Sequence, residues 1–281
     1  MSQLSENDRA TLAAAVSQLE RSSIAGKLAA VVGMPVEKLL GWLPKSIQKQ
    51  IDHVTEEALA KALNVAMKTI DDETVKAPWN LTHKVAATIS GVTGGLFGAP
   101  ALFAELPVTT VVILRSIADI ARSHGENLSD PAVQLACREV FALGSDDKQV
   151  AVDPGREDPQ AQEEYIHATY FVARAAMAQQ VTAAAEILTK GTISGSSSAL
   201  TRLISTIASR FGVAVSEKAA AQAIPIVGAI GGGLINALFM DHFQNTAEAH
   251  FCVRQLERVH GTEPVRKEYE RLAAKGVTAA K

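Results

Sequence analysis

The sequence has few cysteines, few aromatic residues and no excess of basic charge, and each shortage excludes a class of protein. Two cysteines, Cys137 and Cys252, are too few for a disulfide framework, so we expect a reducing compartment and buried thiols. A net charge of −3 argues against nucleic acid as a partner, because a basic surface supplies most non-specific affinity for it. Aromatic residues make up only 5% of the chain, which favours close-packed helices over sheets.

Helix signals recur along the chain, and no segment shows the sustained alternation of apolar and polar residues that marks a strand. Ser5 and Asp8 have the spacing of a capping pair before an alanine-rich run that continues to about Val32. Apolar residues recur at spacings of three and four within residues 44–70, and Pro131 suits the first turn of another helix. The sequence therefore predicts an all-α fold built as a single multi-helix domain.

Composition divides this domain into two parts. Residues 1–75 are predicted to form amphipathic helices that pack on a helical core at 76–281. The polar, turn-rich residues 144–160 are predicted to be an exposed acidic loop. Serine and glycine at 191–199 indicate a flexible joint.

Two long, glycine-rich segments carry no formal charge, one between Lys84 and Glu105 and the other between Lys218 and Asp241. Each is followed at some distance by an Arg-x-His-Gly tetrad. An ancient duplication would place two glycine-rich apolar helices at the centre as a pseudo-symmetric pair, and convergent composition is the alternative. The glycines predicted to let helix backbones approach closely are Gly91, Gly94, Gly95, Gly98, Gly228, Gly231 and Gly232.

Length alone would allow either segment to cross a bilayer. Glu105 and the neighbouring Pro107 oppose this in the first segment, because an acidic residue is costly in the hydrocarbon core. Asn236 and several glycines reduce the apolar surface of the second. A buried core pair and a conditionally inserting hairpin both remain open, and a stable span is the least favoured arrangement.

Charged residues also stand within apolar helical sequence. Glu105, Arg115 and Asp119 lie in a stretch otherwise apolar enough for a core, and buried charges need partners, so we predict that the three form a cluster. Other polar residues are expected to join it: Tyr170, Arg174, Asn236, Asp241 and His250. Such a cluster is either a polar clasp that fixes helix packing or a pocket for a head group or small ligand.

A metal site has weaker support. Glu164 with His167, and Glu257 with His260, have the Glu-x-x-His spacing used by di-metal helical bundles. His260 adjoins a glycine, however, where a histidine at a helix end is an ordinary arrangement. Walker A and G-x-S-x-G motifs are absent from the sequence. We therefore predict no metal, no cofactor and no catalytic residue.

Several blocks of the sequence resemble the EcsC family. The central signature is GGLFGAPALFAELPVTTVVILRSIADIARSHGENLSDPAVQLACREVFALG, which starts at Gly94. The later blocks are YFVARAAMAQ, IPIVGAIGGGLINALF and AEAHFCVRQLERVHG, so that the resemblance extends from about Leu81 to Tyr269. The family is named for a protein encoded beside an ABC-type transporter, and it supplies no catalytic residues to carry over.

The favoured function is a membrane-associated accessory protein that binds lipid or an apolar peptide between its helices. The resemblance implies a link to transport or secretion, with a membrane transporter component as a partner. The expected location is cytoplasmic, peripheral at the inner face of the cell membrane. A metal-dependent or hydrolytic enzyme is the first alternative, with a polar site among Glu105, Arg115, Asp119, Asp241 and His250. The second alternative is a cytosolic protein-interaction module.

Overall fold

The computed structural model describes residues 4–43, 50–51, 53–62, 98–145, 169–189, 198–224 and 232–278, and among these it contains helices and no strands. This confirms the predicted all-α fold. The helices are α1 (Glu6–Arg21), α2 (Ile24–Val32), α3 (Val36–Leu40), α4 (residues 50–51 and 53–62), α5 (Gly98–Ser123), α6 (Pro131–Leu143), α7 (Thr169–Thr189), α8 (Ser198–Gln222), α9 (Gly232–His260) and α10 (Thr262–Thr278).

Capping residues set the bounds of the amino-terminal helices. Ser5 and Asp8 form the predicted capping box at the start of α1. The expectation of one uninterrupted run to Val32 is wrong, because the chain is extended at Ser22. The Ser23 hydroxyl then accepts the Gly26 amide at 2.9 Å and starts α2 as a new helix.

Two segments predicted to be irregular differ from that prediction at the residues that are described. Gly144, the first residue of the predicted exposed loop, is buried at the carboxyl end of α6 against the Phe243 ring. α8 begins at Ser198, so Ser198 and Ala199 of the predicted joint at 191–199 are helical. Residues 146–160 and 191–197 lie outside the described part of the chain.

The two longest helices, α5 and α9, lie side by side and run parallel. Ser116 meets Gln244 at 2.7 Å, and further along both helices His124 Nδ1 lies 2.8 Å from Gln255 Oε1. α5 continues through Pro107 without ending. α1 runs antiparallel to α9, since Asp8 near its start contacts His260, the last residue of α9. The axes of α1, α5 and α9 are therefore aligned, with α1 running in the opposite direction.

α9 ends at His260 and α5 ends one residue before His124, and each histidine is followed by a glycine with positive φ, +77° at Gly125 and +86° at Gly261. This backbone conformation favours glycine and ends a helix sharply. Gly98 and Gly232 are the first residues of α5 and α9. The remaining glycines of the proposed duplication lie outside the described residues, so the duplication stays a prediction: Gly91, Gly94, Gly95, Gly228 and Gly231.

The apolar core divides along α9. Around its first half, four phenylalanine rings pack with centroids 4.7 to 6.0 Å apart, and α2 and α3 join the same cluster. Around its second half, α1 and α10 pack on Val253 and Leu256. Among the described residues, no helix combines the length and apolarity needed to cross a bilayer.

Candidate functional site

A buried ion pair joins α5 to α8. Lys218 Nζ donates to Glu105 Oε1 at 2.9 Å, and the two side chains are 0% and 4% exposed. Thr109 Oγ1 donates to the same oxygen at 3.4 Å. The ammonium also lies 4.9 Å from the centre of the Phe239 ring on α9, which allows a cation–π contact. The ion pair therefore lies where α5, α8 and α9 meet.

Burial disfavours the ammonium and lowers the pKa of Lys218, and the Glu105 carboxylate opposes that shift. Removing one member of such a pair leaves an uncompensated charge in the core. The pair is thus a strong constraint on packing even where its net contribution to stability is small.

The predicted cluster of Glu105, Arg115 and Asp119 is wrong. Ten residues separate Glu105 from Arg115, which places them about 15 Å apart along the axis of α5. Asp119 is exposed and accepts from the Arg122 guanidinium at 2.5 Å. The actual partner of Glu105 is Lys218, the last charged residue before the second uncharged segment. Helix periodicity does not say which helices meet, so it could not identify this pair.

Tyr170, Arg174 and His250 do come together, between α7 and α9. Arg174 Nη1 donates to the Tyr170 hydroxyl at 3.3 Å, which leaves the Tyr170 proton for His250 Nδ1 at 2.9 Å. Arg174 also binds both carboxylate oxygens of Glu257, at 3.0 and 3.1 Å. Burial, together with the guanidiniums of Arg174 and Arg254, holds the pKa of His250 well below its usual value. The histidine is therefore neutral at physiological pH.

Two other predicted members of the cluster lie apart from this network. Asn236 is buried in the first half of α9, and Asp241 is exposed on the same helix, so the prediction for Asp241 is wrong. Asp241 follows Asn236 by five residues, which turns it away from the face that Asn236 occupies.

The weak metal candidates have other partners where the structure describes them. Glu257 binds Arg174, and His260 Nε2 lies 3.0 Å from Asp8 Oδ2. Glu164 and His167 lie outside the described residues. In the part of the chain that is described, no three His, Cys, Asp or Glu side chains are grouped to hold a metal ion.

Glu139 on α6 is a buried acid that the sequence did not single out. Burial raises its pKa from a usual value of 4.5 to about 7, against the opposing attraction of Arg174 and Arg254. Burial likewise raises the pKa of Cys137 to about 12 and that of Cys252 to about 11, so neither thiol is a ready nucleophile.

Glu20, at the end of α1, was also missed. Its carboxylate accepts the backbone amides of Thr169 and Tyr170, both at 3.2 Å, and the Tyr269 hydroxyl at 2.8 Å. It therefore caps the described start of α7. A small cleft of about 60 Å³ opens beside it. Its polar lining includes Gln18, Ser22, Arg210, His242 and Thr246.

An ionic network links the carboxyl-terminal ends of α5 and α9. Glu126 accepts from Arg254 at 2.8 Å and from Arg258 at 2.5 Å. Burial opposes the charge on Glu126, yet the two guanidiniums keep the pKa of the carboxyl below its usual value. His124 contacts Glu248 at 2.9 Å at the same end. We call this set the ionic end of the molecule.

The sequence model of the EcsC protein family matches residues 6–256. The chain belongs to the EcsC protein family. The match includes α1 and ends within the last turns of α9, so it extends across helices that the resemblance from Leu81 onward left out. No curated protein and no solved structure matches this EcsC-family chain.

A double-mutant cycle tests the buried pair. Glu105→Leu and Lys218→Met should each lower the free energy of unfolding by about 3–5 kcal/mol, because each leaves a buried charge without its partner. The double variant should lose clearly less than the sum, as measured by urea denaturation. As a control, Glu105→Leu with Arg115→Leu should be additive within about 0.5 kcal/mol. The reverse pattern would assign the carboxylate to Arg115.

The pKa of Glu139 predicts a pH dependence. A folded-state pKa above the unfolded one favours the protonated form, so this contribution is complete below pH 4.5 and declines as pH rises through about 7. Glu139→Gln should therefore stabilise the protein by up to about 3 kcal/mol at pH 8 and little at pH 4.5. Thermal unfolding at both pH values measures this, with the exposed Glu6→Gln as the control. An equal effect of Glu139→Gln at both pH values would contradict the assignment.

Proposed function

We propose that this EcsC-family protein is a membrane-associated accessory protein that contacts lipid through the amino-terminal ends of α5 and α9. The supporting observation is the difference between the two ends of this parallel pair. Their carboxyl-terminal ends carry the ionic network. Their amino-terminal halves expose apolar side chains, Val108 at 41% and Leu234 at 50%.

Neighbouring helices also expose apolar side chains. α2 and α3 belong to the apolar cluster around the first half of α9, and α2 contacts both α8 and α9. These two helices and the turn after α3 expose Val31, Leu40 and Trp42, with Trp42 at 47%. Tryptophan is favoured at the boundary between water and lipid, because one end of the ring is apolar and the other donates a hydrogen bond. We propose that Val31, Leu40, Trp42, Val108 and Leu234 belong to one surface, which we call the apolar end.

Lipid fits this surface better than a charged partner. The charges of Glu105 and Lys218, on α5 and α8, are buried against each other and offer nothing to an ionic ligand. The chain is also acidic overall, with a net charge of −3, so anionic lipid gains little from it. Attachment should therefore depend on apolar contact and change little with salt.

A place at the cytoplasmic face of the membrane is part of the proposal, and the two free, buried cysteines are compatible with a reducing compartment. A link to transport or secretion, and a transporter component as partner, rest on the family resemblance alone.

Flotation with neutral phosphatidylcholine vesicles tests the proposal. The wild-type protein should float at low and at high salt, and Leu234→Glu should reduce the floated fraction several-fold by placing a charge at the apolar end. Val259→Glu is the matched control, because Val259 lies on the same helix at the ionic end and is more exposed, at 69%. Wild-type protein that stays with the unbound fraction, or an equal loss in both variants, would contradict the proposal.

A further inference from the structure

The polar cleft of about 60 Å³ lies where the carboxyl-terminal ends of α1 and α6 meet the described start of α7. Arg210 of α8, with His242 and Thr246 of α9, completes its lining. One buried water needs about 10–15 Å³ of such volume, so the cleft has room for about four to six water-sized groups. It can therefore hold a small polar group but not a whole lipid.

Two residues that line this cleft have a buried polar atom with no hydrogen-bond partner. These atoms are Gln18 Nε2 and Ser22 Oγ. Ser22 directly follows the last residue of α1 and comes four positions after Gln18, a spacing that places both on one side of the helix. Both atoms can donate a hydrogen bond. Leaving buried donors unbonded is costly, because the hydration they lose is not replaced.

Glu20 also lines the cleft, and its carboxylate is already fully bonded. Oε2 accepts from the Thr169 amide at 3.2 Å and from Thr169 Oγ1 at 2.5 Å. Oε1 accepts from the Tyr170 amide at 3.2 Å and from the Tyr269 hydroxyl at 2.8 Å. A carboxylate offers about four lone-pair sites, and four donors occupy them here. A ligand that brought a donor would find no vacant site on Glu20, so the cleft favours a ligand that accepts.

Arg210 adds donors and a positive charge. It already has another interaction, but a guanidinium carries five N–H donors, which allows a further partner. The donors of Gln18, Ser22 and Arg210 come from two different helices, so a ligand with several acceptor oxygens can meet all three. A phosphate group accepts through four tetrahedral oxygens, has five heavy atoms and matches the geometry of a guanidinium.

From this arrangement we infer that the cleft binds a phosphate-sized oxyanion, as free phosphate or as the phosphate of a small ester. Gln18 Nε2, the Ser22 hydroxyl and the Arg210 guanidinium donate to its oxygens. The inference does not rest on the proposed contact with lipid, because the residues of the apolar end do not line this cleft.

Titration calorimetry of the whole chain in a phosphate-free buffer tests the inference. Sodium phosphate should bind one ion per chain with a dissociation constant below about 1 mM, and sodium chloride at the same ionic strength should give no binding. Glycerol 3-phosphate identifies the source of the group. Binding at least as tight as that of phosphate would assign the cleft to an ester, and binding about tenfold weaker would assign it to free phosphate.

Ser22→Ala should weaken phosphate binding by about tenfold, because it removes one donor to the oxyanion. The melting temperature of the ligand-free protein should not fall, since the Ser22 hydroxyl has no bond to lose. Ser17→Ala is the matched control at an exposed position of α1 and should change neither quantity. Gln18→Leu is a second, independent variant and should weaken phosphate binding in the same way.

Three outcomes would overturn the inference. No binding of phosphate or of glycerol 3-phosphate would show that water alone fills the cleft. Normal binding by both Ser22→Ala and Gln18→Leu would place the ion elsewhere. A lower melting temperature of ligand-free Ser22→Ala would show that the hydroxyl is already bonded. Flotation on neutral vesicles tests the proposed function separately, because it measures the apolar end and not this cleft.

Discussion

The ion pair between Lys218 and Glu105 is the contact on which the arrangement of the long helices depends. A lysine that is 0% exposed can keep its charge only if a carboxylate lies beside it. Among the described residues, the oxygen that bonds it comes from another helix, 113 residues away in sequence. The Phe239 ring on α9 covers the same ammonium. α5, α8 and α9 must therefore pack together before this charge is satisfied, and the pair specifies which helices are neighbours more than it stabilises any of them.

The parallel arrangement of α5 and α9 gives the molecule its polarity. Parallel neighbours bring two negative helix ends together, and basic residues in the last turns, Arg122, Arg258 and His260, offset that charge. Glu126 then links Arg254 to Arg258. No acidic residue stands in the first turn of either helix. One end is consequently ionic, and the proposed contact with lipid rests on the exposed Val108 and Leu234 in the other halves of the two helices.

Local features of this fold could be predicted from the sequence, whereas contacts between helices could not. Ser5, Asp8 and Pro131 act through neighbours within four residues, so their capping roles follow from spacing alone. The pairing of Glu105 depends on which helix lies opposite, and helix periodicity does not contain that information. It led instead to Arg115, the nearest opposite charge in the chain.

The expected burial of polar residues predicted some contacts and not others, because it does not say which helix supplies the partner. Tyr170 and His250 were found because polar residues in apolar helices need partners, and here they are partners of each other. Glu20 was missed, because an acid near a helix end normally reads as a solvated residue. Its role depends on α7, about 150 residues away in sequence, whose amides it caps. The division into parts at 1–75 and 76–281 stays a prediction, although α1 and α2 contact α9 directly.

Amide hydrogen exchange with and without neutral phosphatidylcholine vesicles tests most directly whether the apolar end meets lipid. The two halves of the same helices serve as internal references for each other. The account predicts slower exchange in the presence of vesicles within residues 98–110 and 232–240, and unchanged exchange within 114–123 and 248–260. Slowing that is equal along both helices, or confined to the ionic end, would contradict it.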